Sequence, residues 1–248
     1  MHRFFVASES LKNGHVEFTR EQSHQIDRVL RLRVGEEVAV LDNAGWMYDV
    51  ALAEVDATRT VGAVRRRGLA TGEPRAKVTL YPALLKSDKL ELVLQKCTEF
   101  GVAAFVPILT RRCNVGNTVS DDKFERWERI IAEAAEQSER GRLPQLFPVQ
   151  MYGSACEQVR GASFIACERG DRRSLRSEMA GRAVGVRGQR PFAMNLLVGP
   201  EGGFAPEEIE EAVSRGIVPV GLGPRILRAE TACIVGAALL FAYAGDLD

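Results

Sequence analysis

From Arg3 to about Ala70 the apolar positions come in short runs broken by turns: RFFV, HVEF, EEVAVLDNAGWMYDVALAEV and TVGAVRRR. Runs of this length and spacing predict strands, and Asn43-Ala44-Gly45 between two alternating segments predicts a hairpin turn. A small β-barrel is the simplest arrangement of these strands. One helical stripe interrupts them, because Ile26, Val29 and Leu30 share a face in a helix over Glu21 to Leu30.

The pattern changes at Leu69 to Arg75, LATGEPR, where Gly, Thr and Pro cluster. We place a domain boundary there, giving domains of residues 1–72 and 73–248. Beyond it, strand-like KVTLYPAL, VAAFVPIL, ASFIAC, NLLVG and IVPVGLG alternate with helical segments. That alternation predicts an α/β domain on a mainly parallel sheet. In a helix near Asp88 to Phe100, Asp88 and Glu91 have capping-box spacing and Gly101 supplies the stop, with Lys89 and Lys96 on the solvent side. A second helix, near Asp121 to Glu139, is stopped by Gly141 and Pro144.

Composition narrows the function classes. Basic and acidic residues balance at 33 each, so any nucleic-acid binding must come from local patches. Candidates are Arg28, Arg31 and Arg33, the run Arg65, Arg66 and Arg67, the pair Arg111 and Arg112, and Arg172 with Arg173. Five scattered cysteines with no Cys-x-x-Cys pair fit reduced thiols in a cytoplasmic protein. The apolar stretch around Ile234 to Tyr243 is too short to span a membrane. All three histidines precede residue 25, which argues against a histidine base in the second domain and against a His/Cys metal site. Gly221-Leu222-Gly223 lacks the third glycine of a dinucleotide fingerprint, since Ile226 stands there.

Two segments carry candidate chemistry. MNLLVGPEGGFAPEEIEEAVSRG, Met194 to Gly216, reads as strand, glycine loop and helix, with Pro206 in the first turn and Glu207 and Glu208 complementing the dipole. Three glycines beside Glu201 at a strand's carboxyl end suit a binding loop. VPVGLGPRILRAETA, Val218 to Ala232, repeats the order of strand, loop and helix start. Arg228 and Glu230 at that junction suit either a binding site or an Arg-Glu pair capping a buried helix.

GPEGGF before an acidic helix and LGPRILRAETA near the C-terminus resemble the hallmark motifs of the RsmE family of the SPOUT methyltransferase superfamily. The resemblance extends to Lys86-Ser87-Asp88-Lys89, to QKCTEFGV at Gln95 to Val102, to EAAEQSER at Glu133 to Arg140 and to HRFFV at the start. It implies a C-terminal trefoil-knot domain and an N-terminal PUA-like β-barrel for RNA. It further implies a homodimer that uses S-adenosyl-L-methionine to methylate N3 of a uridine in 16S ribosomal RNA of the small subunit. The cofactor residues carried over by motif are Leu197, Gly199, Glu201, Gly202, Leu222, Gly223, Leu227 and Arg228. Ala205 departs from the Ser or Thr common before Pro206, Phe100 from a usual Leu, and Glu139 from a usual Gly.

Uracil N3 is a poor nucleophile until its proton leaves, so the site must remove that proton or stabilise the anion. Arg228 and Arg140 are the candidates for charge stabilisation and Glu230 for proton acceptor. Gln137 and Ser138 are candidates for the base edge, and Arg65, Arg66, Arg67 and Arg111 for further RNA contacts. A knotted methyltransferase acting on ribose 2′-OH and a non-catalytic RNA-binding protein of the same fold are the competing readings.

Overall fold

The computed structural model describes residues 1–114, 119–168, 172–186 and 192–247, without the side chains of Ser87 and 182–186. It divides into two compact units: Met1–Glu73 with Ala135–Leu143, and Pro74–Ala134 with Pro144–Asp248. The expected cut at residue 72 treats everything beyond it as one domain, whereas residues 135–143 pack with the first unit. An apolar contact explains this: Ala135 is buried with Phe5 and Leu41, and Leu143 packs against the same cluster.

The first unit holds strands β1 (Arg3–Phe5), β2 (Leu11–Lys12), β3 (His15–Glu17), β4 (Glu37–Leu41), β5 (Trp46–Val55) and β6 (Thr60–Leu69). They form one sheet in the order β1-β4-β5-β6-β3-β2, antiparallel except for β1 beside β4. Phe4 on one edge strand meets Phe18, just after β3, edge to face at 5.6 Å. A sheet whose opposite sides share one core cluster must curl. The predicted hairpin turn forms with Asn43 and Gly45 at positive φ, as such a turn requires.

The predicted helix over Glu21 to Leu30 forms one residue earlier, over Arg20 to Val29, and is irregular. Thr19 and Gln22 make a reciprocal capping box that starts α1 (Arg20–His24). Gln25–Val29 then continues as a π turn. The wider turn rotates Val29 out of the stripe, leaving it 66% exposed while Ile26 stays buried.

The second unit is built on strands β7 (Ala76–Pro82), β8 (Ala104–Phe105), β10 (Gln145–Leu146), β12 (Ala162–Ala166), β13 (Arg173–Ser174), β14 (Phe192–Val198) and β15 (Val218–Gly221). A separate short pair joins β9 (Ile108–Leu109) to β11 (Gln150–Met151). The main sheet runs β10-β8-β7-β14-β12-β15-β13, and every pairing in it is parallel. Helices α2 (Ser87–Phe100), α3 (Asp121–Gln137, whose last turn counts with the first unit), α4 (Tyr152–Gln158), α5 (Leu175–Val186), α6 (Pro206–Ser214) and α7 (Ala229–Ala244) complete the chain. This is the expected α/β architecture. Val78 and Leu80 of β7 and Leu196 of β14 share one buried core with Leu90 and Leu94 of α2 and with Ala237 and Leu240 of α7. The Asp246 carboxylate accepts the backbone N–H of Ala76 at 2.8 Å, which fixes the start of β7.

Local details depart from the expected caps. Lys86, without a side-chain cap, precedes α2, and Glu91 pairs with Arg126 through two 2.8 Å bonds instead of closing a capping box. Gly101 ends α2 at φ 107°, as its position predicts. Before α6 only half a box is possible, because Ala205 has no oxygen to offer; Glu208 Oε2 accepts the Ala205 N–H at 2.8 Å.

Candidate functional site

Three neighbouring strands, β14, β12 and β15, end side by side. The loops that leave them surround a cavity of about 370 Å³, within the range of small-molecule sites. Its wall includes Gly199, Glu201 and Gly202 after β14, and Leu222, Gly223 and Leu227 after β15. Six of the eight cofactor candidates therefore line one cavity. Leu197 does not: it is fully buried behind the loop with Phe204 and Ile217. Arg228 caps α7, with its carbonyl accepting the Ala232 N–H at 2.8 Å and its side chain exposed.

Each glycine of the first loop has a local reason. A Cβ at Gly199 would lie 3.1 Å from the Phe204 ring, and one at Gly202 would lie 3.3 Å from Arg112. Gly203 closes a turn onto Pro200 with φ +65°. Glycine count alone thus says little about binding, and the shared cavity carries that inference. Arg112 Nη1 donates to the Gly202 carbonyl at 2.9 Å, while the Arg111 N–H donates to Glu208 at 2.9 Å and its guanidinium meets Glu207 at 3.1 Å. The Arg111–Arg112 pair is thereby used to brace the glycine loop and α6.

Lys89 connects the two motifs. Its ammonium lies 2.7 Å from Glu201 and 3.8 Å from Glu230. The hydrogen bond to Glu201 raises the Lys89 pKa and lowers that of Glu201, so both stay charged at neutral pH. Lys89 therefore turns toward the site and not simply to solvent. Glu230 is only 9% exposed, and its Oε2 has no hydrogen-bond partner among the described residues. The Arg228–Glu230 pair weighed from the sequence does not form; Lys89 takes that place. Among the described residues the Arg228 guanidinium meets no carboxylate.

Sequence reasoning missed one wall of the cavity, Ala166, Cys167 and Glu168 at the end of β12, and the cation Arg225, and it nominated Arg172 for nucleic acid and not for this cavity. The signal was the strand ASFIAC, but its place between β14 and β15 is a matter of sheet order. Burial pushes the Cys167 thiol up to about 11, so it stays protonated at neutral pH and is a poor nucleophile.

Arg173 on β13 pairs with Glu178 at 2.8 Å, and the remaining candidates lie in the first unit. Arg140 is 3% exposed and grips Glu73 with two bonds, Nε to Oε1 at 3.1 Å and Nη2 to Oε2 at 2.8 Å. The N–H groups of Gly141 and Arg142 add to Glu73 Oε1. Glu139, for which the resemblance implies glycine, adopts φ 58°, the left-handed conformation that favours glycine; Arg3 holds its carbonyl and carboxylate. Gln137 is exposed and Ser138 half-buried beside this turn. Arg65, Arg66 and Arg67 are exposed on β6, with Arg66 paired to Asp49 at 2.8 Å.

The wall suits the expected cofactor. Apolar Val198, Ile209, Leu222, Leu227 and Ala232 could enclose a purine, and Glu201 beside Arg112, Arg172 and Arg225 offers both signs of charge for an amino-acid tail. No described helix is long and apolar enough to cross a membrane.

Comparison with known proteins agrees. The RNA methyltransferase domain family matches residues 72–241. The ribosomal RNA small subunit methyltransferase E of Synechocystis is 38% identical, covering 96% of this chain and 76% of its own. Its counterpart in Bacillus subtilis is 32% identical over 86% of this chain and 84% of its own. The crystal structure of the Neisseria gonorrhoeae ribosomal RNA small subunit methyltransferase E, bound to S-adenosyl methionine, superposes with a TM-score of 0.84 at 26% identity, covering 98% and 97% of the two chains. The chain belongs to the RNA methyltransferase family and, within it, to the ribosomal RNA small subunit methyltransferases E.

Proposed function

We propose that the protein methylates N3 of a uridine in the 16S ribosomal RNA of the small subunit, using S-adenosyl-L-methionine, and that it does so in the cytoplasm as a homodimer. The observation that carries the reading is the convergence of both motif loops on one cavity at the strand ends. The same reading takes the first unit as a PUA-like RNA-binding barrel and the loops after β14 and β15 as parts of a trefoil knot; the family resemblance and the curled and parallel sheets support it.

In this reading Gly199, Glu201, Gly202, Leu222, Gly223 and Leu227 hold the cofactor, Leu197 supports the loop from behind, and Arg228 stands at its edge. The cofactor supplies an activated methyl group. The chain's own work is to present uracil N3 and manage its proton. Arg228, without a carboxylate partner among the described residues, is the candidate to meet the negative charge that spreads over O2 and O4 as the proton leaves. Glu230, whose buried Oε2 has no hydrogen bond among the described residues and lies 3.8 Å from the Lys89 ammonium, is the candidate acceptor for that proton. Arg140 is assigned a structural part because Glu73 already neutralises it. Gln137, Ser138 and Arg111, with Arg65 to Arg67, are proposed RNA contacts, although Arg111 is already engaged with Glu207.

The test fills the cavity. Ala232 lines it from α7, and Ala232→Trp should weaken S-adenosyl-L-methionine binding by calorimetry at least tenfold, with the fold retained by circular dichroism. Mass mapping of 16S RNA from cells carrying this variant should show the N3-methyluridine lost. Unchanged affinity in the folded variant removes the cavity assignment, and an unmodified N3 in wild-type cells removes the reaction.

A further inference from the structure

Trp46 and Tyr48, at the end of the first unit's sheet that carries the Arg65 to Arg67 run, have no part in the methyl-transfer reading. Asp42 organises the hairpin there. Its Oδ1 accepts the N–H groups of Ala44 at 2.8 Å and Trp46 at 3.1 Å, and its Oδ2 accepts the Tyr48 hydroxyl at 3.2 Å. Trp46 and Tyr48, two residues apart on β5, point to the same face of the sheet. Both are half-buried, and Tyr48 reaches the core cluster beneath.

A register shift brings a cation onto this face. Opposite β5 the pairing runs Tyr48↔Arg67 and Asp49↔Arg66, then jumps to Val50↔Val64, leaving Arg65 as an extra residue. Side chains alternate along a strand, so a one-residue slip turns every later side chain to the other face. Without the extra residue, Arg66 would face inward and Arg67 outward. With it, Arg66 faces outward and pairs with Asp49, while the Arg67 guanidinium lies 3.7 Å above the Trp46 ring and 5.7 Å from Tyr48. Arg67 remains exposed. Arg142 stands by the same turn, donating to the Ala44 carbonyl at 3.2 Å.

We propose that Trp46, Tyr48 and Arg67 form a stacking platform for one unpaired base of the RNA substrate, with Arg65 and Arg142 beside it for the flanking phosphates. The proposal rests on reading the first unit as RNA-binding and says how it binds. Single-stranded RNA is held by stacking on aromatic rings and guanidinium planes, which needs flat groups fixed in advance beside positive charge. A duplex offers no free base face, and an acidic protein surface would meet the arginines but leave the rings unused. An unpaired nucleotide uses both.

The probe is a uridine decamer, read by tryptophan fluorescence and anisotropy in the full-length protein. Trp127, the other tryptophan, is fully buried, so quenching on binding reports Trp46 and should vanish in Trp46→Phe. Trp46→Leu should weaken the decamer about tenfold and leave an abasic sugar-phosphate decamer unaffected. Arg67→Gln should weaken it too, with little change in salt slope, whereas Arg65→Gln should lower the log–log salt slope by about 0.7, the single-strand value for one phosphate-neutralising charge. Melting temperatures for these variants identify a merely structural stack, which would lower stability and leave RNA affinity alone. Wild-type binding without quenching, or Trp46→Leu binding as wild type, overturns the platform while ribosomal RNA methylation can stand. Failure of the wild type to bind the decamer at all overturns both the platform and the RNA-binding reading of this unit.

Discussion

Two arginines that the sequence nominates for the same task meet opposite surroundings. At the turn after α3, Arg140 is buried and held by both oxygens of Glu73, with two backbone N–H groups on the same carboxylate. At the start of α7, Arg228 is exposed and has no carboxylate partner among the described residues. A guanidinium already matched by a carboxylate has little left for a developing anion, whereas an unmatched one can respond to it. Motif membership alone did not separate the two, and environment does.

The comparison breaks most visibly at Arg140. Arg140→Ala leaves Glu73 without its partner, and breaking such a buried pair costs ~3–5 kcal/mol. Urea unfolding should show that loss in the first unit's transition, with S-adenosyl-L-methionine affinity changed little. A stable Arg140→Ala protein with a slow methyl-transfer step would reverse the two assignments.

Arg228→Ala should do the converse. Losing a donor that acts on transition-state charge costs ~10²–10³ in rate, roughly 2.7–4 kcal/mol. Single-turnover methylation should show it, while the melting temperature stays near that of the wild type. A normal rate in this variant ends the catalytic role of Arg228.

The smallest effect sharpens the account of the turn itself. Glu139 in the left-handed region carries strain of ~1–2 kcal/mol. Glu139→Gly relieves it but adds ~0.5–1 kcal/mol of backbone entropy and gives up an exposed ion pair with Arg3 worth at most about 1 kcal/mol. The net change by thermal unfolding should stay within about 1 kcal/mol. A loss beyond 2 kcal/mol would mean that the Arg3 contact, and not the turn, holds this segment.

Much of this was legible because it is local. The hairpin at Asn43 to Gly45, the alternation of strands and helices, the stop at Gly101 and the loop glycines each depend on a few consecutive residues. What stayed hidden depends on sheet order or on partners far along the chain. Glu168 and Arg172 join the cavity only because β12 lies between β14 and β15. Lys89 finds Glu201 112 residues away, so its helix pattern gave only a solvent-facing position. The return of residues 135–143 to the first unit follows from apolar contacts that no period in the sequence announces. Glu139 is the intermediate case: the departure from glycine was visible, and its cost became clear only with the φ angle.

The Glu73–Arg140 clasp also bears on the order in which the protein comes into being. Glu73 is synthesised 67 residues before the arginine that neutralises it. At ~5–20 residues per second, that is a wait of roughly 3–13 s. During this interval the nascent N-terminal sheet lacks the segment carrying Ala135 and Leu143. Its completion is therefore gated by translation of α3, and the acidic side chain of Glu73 must stay hydrated until that helix leaves the ribosome.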